Sequence, residues 1–139
     1  MLTASDLMTV VPDVIAPDTT LREIIGMMKA EGYRHLPVVD AGKLVGIITD
    51  RDIRLVMNSP MVMHERRQDE ELIDTVTAES CMTPNPVTVT PDTPAYRASE
   101  ILSMYKFGAL PVVEGEELVG ILTVTDFLDY FSANHQPEE

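Results

Sequence analysis

Leu44-Val45-Gly46-Ile47-Ile48-Thr49-Asp50-Arg51-Asp52 returns as Leu118-Val119-Gly120-Ile121-Leu122-Thr123-Val124-Thr125-Asp126, at an offset of 74 residues. The same offset keeps matching outward from this stretch without a gap. Leu36-Pro37-Val38-Val39 falls on Leu110-Pro111-Val112-Val113, Pro17-Asp18-Thr19 on Pro91-Asp92-Thr93, Met8-Thr9 on Met82-Thr83, and Thr3-Ala4 on Thr77-Ala78. Roughly one position in three is identical between residues 3–57 and 77–131, and ungapped self-similarity of that length marks a repeated structural unit.

Each repeat reads as β-α-β-β-α. Val14-Ile15 is a short candidate strand. Pro17-Asp18-Thr19 supplies turn and N-cap chemistry, and Thr20 with Glu23 has capping-box spacing. Leu21, Ile24, Ile25 and Met28 fall at i, i+3, i+4 and i+7, one apolar face of a helix that Gly32 ends. The apolar runs 36–39 and 44–48 flank the turn-forming Asp40-Ala41-Gly42-Lys43 and predict a hairpin with both faces buried. A second helix starts near Asp50 and carries Ile53, Val56 and Met57. In the second repeat Pro94 is expected at the first helical position. Ala95, Ala98, Leu102 and Tyr105 sketch the buried face there, and Phe127, Leu128, Tyr130 and Phe131 give the last helix an aromatic face.

A unit of this size is marginal alone. The expected architecture is therefore α/β (in the α+β sense): two tandem repeats related by a pseudo-twofold axis, with their sheets packed together over a shared core. Residues 1–58 are read as the first domain, 59–76 as an acidic linker or insertion, 77–132 as the second domain and 133–139 as a polar tail. Within the insertion, Asn58-Ser59-Pro60 breaks the preceding helix. The charge run from His64 to Glu71 reads as a loop or exposed helix, with Leu72, Ile73 and Val76 lying along one repeat.

Composition narrows the function classes. The 139 residues carry a net charge of −13, which repels phosphate backbones and anionic membranes and argues against nucleic-acid and membrane partners. No apolar run approaches the ~20 residues that span a bilayer, and the N-terminus lacks the features of a signal peptide. The single cysteine, Cys81, excludes an intrachain disulfide and a Cys-based zinc site, fits a reduced cytoplasmic setting and reads as a small buried hydrophobe. His35, His64 and His135 show no ligand spacing, and position 68 is Gln where a zincin helix needs its second His, so no metal site is expected. No phosphate-cradling glycine loop, nucleophile elbow or acid–base constellation is legible. The chain is read as neither an enzyme nor the holder of a cofactor, with no catalytic residues.

Two copies of Gly-h-h-Thr-x-x-Asp (h apolar), each behind Leu-Pro-Val-Val and a turn and placed in register within a whole-chain repeat, resemble the CBS-domain pair, or Bateman module. The resemblance covers nearly the whole chain. It implies a stand-alone regulatory module that senses energy state by binding AMP, ADP, ATP or S-adenosylmethionine in a cleft between the two domains. It implies ribose-binding roles for Asp52 and Asp126, with Thr49 and Thr123 as their polar neighbours on ribose or phosphate. Val14, Ile15, Thr88 and Val89 would lie near the base pockets. It also implies a homodimer associated through helices, acting on a separate effector protein.

The chemistry of these residues agrees. An ionised carboxylate only accepts hydrogen bonds, and the two hydroxyls of a ribose both donate. A helix N-terminus favours phosphate, and apolar strand residues let a flat base stack. The same Thr-x-x-Asp spacing is also an ordinary helix cap, and repeating a fold repeats its caps. The copies differ at Arg34, His35 and Arg51, where the second repeat has Gly108, Ala109 and Thr125. In the family that the chain resembles these positions face the central cleft, so the resemblance implies one better phosphate site, with these three residues assisting the ligand held by Asp126. The competing reading is a structural dimerisation or interaction module without a small-molecule ligand.

Overall fold

The computed structural model describes residues 1–10, 13–57 and 66–135, the last range with backbone only for 66–70. It divides into two compact units, Asp13–Pro86 on the one hand and Met1–Pro12 with Val87–Glu139 on the other. Neither unit coincides with one sequence repeat, because the first twelve residues pack with the second repeat.

In the unit Asp13–Pro86, β2 (His35–Asp40) and β3 (Lys43–Thr49) form the hairpin, with a bulge between Val38 and Val39. Ala41 and Gly42 close its turn at positive φ, the geometry that matches strand twist in a two-residue hairpin loop. A two-residue strand, β4 (Thr83–Pro84), adds to the free edge of β3 and gives the sheet order β2-β3-β4. Thr20 caps α2 (Leu21–Glu31), its Oγ1 accepting from the Glu23 N–H, and Gly32 ends it in the left-handed conformation. The predicted periodicity packs Leu21 and Ile24 fully into the core, with Ile25 and Met28 at its margin. With α3 (Asp50–Met57) and the short α5 (Ala78–Cys81), they close a cluster of Ile15, Leu21, Ile24, Leu36, Val38, Ile48, Ile53 and Ala78.

The insertion contributes α4 (Arg66–Thr75), which packs on α2. Ile73 and Val76 sit against the core, and Arg22 grips Asp74 with a two-pronged contact at 2.6 and 3.2 Å. The helix-breaking reading of 58–60 and the start of the charge run, His64 included, lie outside the described residues.

The second unit repeats this plan. β5 (Ala109–Glu114), β6 (Glu117–Thr123) and β1 (Thr9–Val10) form a sheet of order β5-β6-β1, beside α1 (Ala4–Leu7), α6 (Ala95–Tyr105) and α7 (Val124–Ala133). The lead-in contacts recur at the sequence offset. Ala4 N–H donates to the Thr93 carbonyl as Ala78 N–H does to Thr19, and Ala95 N–H donates to Leu2 as Leu21 N–H does to Val76. Each hairpin is thus completed by the lead-in of the other repeat, and the chain passes between the units twice.

Several local expectations are corrected. Val14-Ile15 is not a strand of its own: Ile15 makes one parallel bridge to Val38, and Val89 one to Val112. Pro94 is the N-cap of α6, not its first helical residue. Tyr105, at the C-terminal end of α6, is exposed, not buried. On α7 only Phe127 reaches the core, while Leu128, Tyr130 and Phe131 are exposed. Periodicity located the apolar positions but not what covers them.

Candidate functional site

The Thr-x-x-Asp stretches lie where a hairpin strand runs directly into a helix, β3 into α3 and β6 into α7. Both form reciprocal capping boxes. Thr49 N–H donates to Asp52 Oδ2 at 2.8 Å, and Asp52 N–H donates to Thr49 Oγ1 at 3.1 Å. Thr123 and Asp126 repeat the pair at 2.8 and 3.2 Å. The box fixes the carboxylate beside the first turn and satisfies two donors there that a helix leaves open. It engages only Oδ2. No described residue donates to Oδ1 of either Asp, and both side chains are half-buried. The cap therefore leaves one oxygen of each carboxylate without a donor among the described residues.

Around Asp52, the hairpin register sets His35 opposite Thr49, and Asp50 N–H donates to the Arg34 carbonyl at 3.0 Å. Arg34, His35, Thr49, Arg51 and Asp52 therefore belong to one unit, which also holds Val14 and Ile15. Burial pushes the His35 imidazole below its ordinary 6.5, and Arg34 adds to this, against the opposing pull of Asp50 and Asp52. At neutral pH His35 can offer a neutral N–H, not a charge. The fixed charges are the exposed Arg34 and Arg51. Cys81 is half-buried, and its thiol is held protonated by that burial and by the negative charge of Asp52.

The base-pocket candidates divide by exposure. Ile15 N–H donates to the Pro37 carbonyl and the Ile15 carbonyl accepts from Val39, which fixes Ile15 along β2 and inside the core. Val89 does the same along β5 through Pro111 and Val113. Ile15 and Val89 are buried, whereas Val14 is exposed and Thr88 half-buried, so the latter two are the members of each pair that a ligand can reach. Thr88, Val89, Thr123 and Asp126 belong to the second unit.

One feature of the site region escaped the sequence reading. The Tyr33 hydroxyl donates to the Asp13 carboxylate, tying the residue before Val14 to the residue before Arg34. The hydrogen bond to Asp13, with some burial, holds the Tyr33 proton above its ordinary value. Its sequence signal was a joint difference between the copies, which have Phe107 and Val87 at these positions. Among the described residues no group of three His, Cys, Asp or Glu side chains is placed to hold a metal, and no helix is long and apolar enough to cross a membrane.

Comparison with known proteins follows the repeat. The family model described as "CBS domain" matches twice, over residues 4–59 and 78–133. A CBS domain-containing protein of Dictyostelium discoideum is 37% identical over 114 residues, which cover 81% of this chain and 79% of that protein. The crystal structure of CBSX2 in complex with AMP superposes with a TM-score of 0.79 at 27% identity, covering 96% of this chain and 98% of that one. The CBS domain pair of MJ0100, in complex with 5′-methylthioadenosine and S-adenosyl-L-methionine, gives 0.79 at 28% identity over 97% and 99%.

Proposed function

The chain belongs to the CBS-domain family, and on that premise we propose that it is a regulatory module that binds an adenosine-containing ligand and is not an enzyme. The reading rests on one observation above the others: in both units a half-buried Asp is oriented by its capping box through Oδ2 while Oδ1 receives no hydrogen bond from any described residue. Asp52 and Asp126 accept from ribose hydroxyls, and Thr49 and Thr123 stand beside them. Val14 and Thr88 offer surface to the base, with Ile15 and Val89 behind them. Arg34 and Arg51 supply charge to phosphates and His35 a hydrogen bond. Because the second unit lacks these three groups, the phosphate chemistry is unequal between the copies. The relatives with AMP, 5′-methylthioadenosine and S-adenosyl-L-methionine support the ligand class. The module acts as a cytosolic homodimer on a separate effector, and any change of shape it transmits is bounded by the ligand's differential affinity for two states.

A second reading has its own observation. The capping boxes account for both Asp residues as helix starts, which is all a structural dimerisation module needs. A thermal-shift panel of AMP, ADP, ATP, adenosine, S-adenosylmethionine, NADH and Mg²⁺ separates the two. A ligand at a hundredfold excess over its Kd adds about 2.7 kcal/mol by mass action. At least one adenosine compound is expected to raise Tm, and adenosine less than its phosphates. A flat response across the panel leaves the structural module standing alone.

A further inference from the structure

The two units differ in the residues beside their base segments. In the first, Asp13 precedes Val14, and its Oδ2 accepts from the Tyr33 hydroxyl. The Tyr33 ring packs against the core of that unit, so the carboxylate is tied to a rigid part of the fold. Oδ1 of Asp13 receives no hydrogen bond from any described residue, and Asp13 is exposed. In the second unit the equivalent residues are Val87 and Phe107, which cannot make such a bond. Val87 is exposed, and Phe107 stacks on Tyr105 instead, with ring centroids 5.3 Å apart. The second unit therefore folds without the pair, and folding alone does not explain why the first has it.

Val14 and Ile15 offer a flat base a surface to stack on, but their side chains have no donor or acceptor with which to tell one base edge from another. Ligand pockets are apolar surfaces in which a few placed polar groups fix orientation and specificity. Asp13 has the makings of such a group: one oxygen held by the protein, the other open, next to the exposed Val14. A carboxylate only accepts hydrogen bonds, and the one N–H donor on the base of an adenine nucleotide is its exocyclic amine. We propose that Asp13, positioned by Tyr33, accepts from that amine at the first unit's site, and that the second unit's site lacks this reading. The proposal rests on the adenosine-binding reading above and assigns the base specificity of one of its two sites. A 6-oxo purine at the same place would set acceptor against acceptor, which adds rejection to the preference.

Calorimetry on the full chain tests it with two probes, AMP and purine riboside 5′-monophosphate, which is AMP without the amine. Asp126→Asn weakens the second unit's site and leaves the first to be read. In that background Asp13→Val, which installs the residue found at Val87, is expected to lower the preference for AMP over the amine-free probe about tenfold, the loss of one charge-assisted hydrogen bond. Tyr33→Phe, which frees the carboxylate without removing it, should lower the preference by less. In the Asp52→Asn background, which reads the second site, Asp13→Val should leave the preference where it was. A purely structural role for the pair would weaken both probes alike and keep their ratio. Should Asp13→Val unfold, Asp13→Asn carries the same expectation, because its amide oxygen can still accept from Tyr33. A folded variant at position 13 with an unchanged ratio at the first site overturns the proposal while the adenosine reading stands. Failure of AMP to bind the wild type overturns both.

Discussion

The Met8 side chain occupies the space that a Cβ on Gly120 would need. Met82 stands over Gly46 in the same way. The glycine of the Gly-h-h-Thr-x-x-Asp stretch is thus explained by the lead-in strand that crosses it. A side chain there would meet the Met thioether and also the backbone, 2.9 Å from the Thr9 carbonyl oxygen at Gly120 and 3.0 Å from that of Thr83 at Gly46.

Gly120→Ala is therefore expected to destabilise the protein by about 1–3 kcal/mol, the usual range for overpacking a close contact. The Met8 thioether can swing away, but the Thr9 carbonyl is held by the pairing of β1 with β6. Adding Met8→Ala should recover only the part due to the side chain, so a double-mutant cycle by urea denaturation should show favourable coupling between the two substitutions. Strict additivity would mean that Met8 does not set the requirement for glycine.

The contrast between what was legible and what was not follows from range. The hairpin 36–48 and the helix from Leu21 to Gly32 are written in local signals: apolar runs around a turn, and spacing of three and four. β1 and β4 are two residues long, too short to show a period, and each pairs with a hairpin of the other repeat. The chain's crossing between units was therefore invisible in any local window. The Thr49–Asp52 and Thr123–Asp126 pairs were visible because a cap is local. The Tyr33–Asp13 bond was not, because it depends on the Ile15–Val38 bridge that brings two separate segments together.

His35 makes stability depend on pH in a defined window. Its folded-state pKa is lowered from 6.5, chiefly by burial, so the unfolded chain binds the proton more readily than the folded one. That contribution is fully present above 6.5 and is lost as pH falls from 6.5 toward the lower folded value. The depressed carboxylates Asp6 and Asp74 act in a separate range, with losses that begin near 3.8 and continue below it. Lowering pH from about 7.5 to about 5.5 should therefore reduce Tm more in the wild type than in His35→Ala, which installs the residue found at the equivalent Ala109. Parallel pH profiles for the two proteins would place the sensitivity elsewhere.

Asp126→Asn separates helix capping from ligand binding at the same residue. The amide oxygen of Asn can still accept from the Thr123 N–H, and the N-cap residue itself, Thr123, is unchanged, so the start of α7 should persist with little change in Tm. The amide nitrogen, in contrast, offers donors where a ribose hydroxyl needs an acceptor, and the charge that strengthens the bond is gone. Hydrogen bonds to charged groups contribute about 1.5–3 kcal/mol, so calorimetry should show roughly a tenfold or greater loss of affinity at this site. Asp52→Asn should do the same in the other unit, and comparing the two variants with AMP against adenosine reads which copy handles the phosphate. An affinity unchanged in both, with folding intact, would leave the two carboxylates as caps and nothing more.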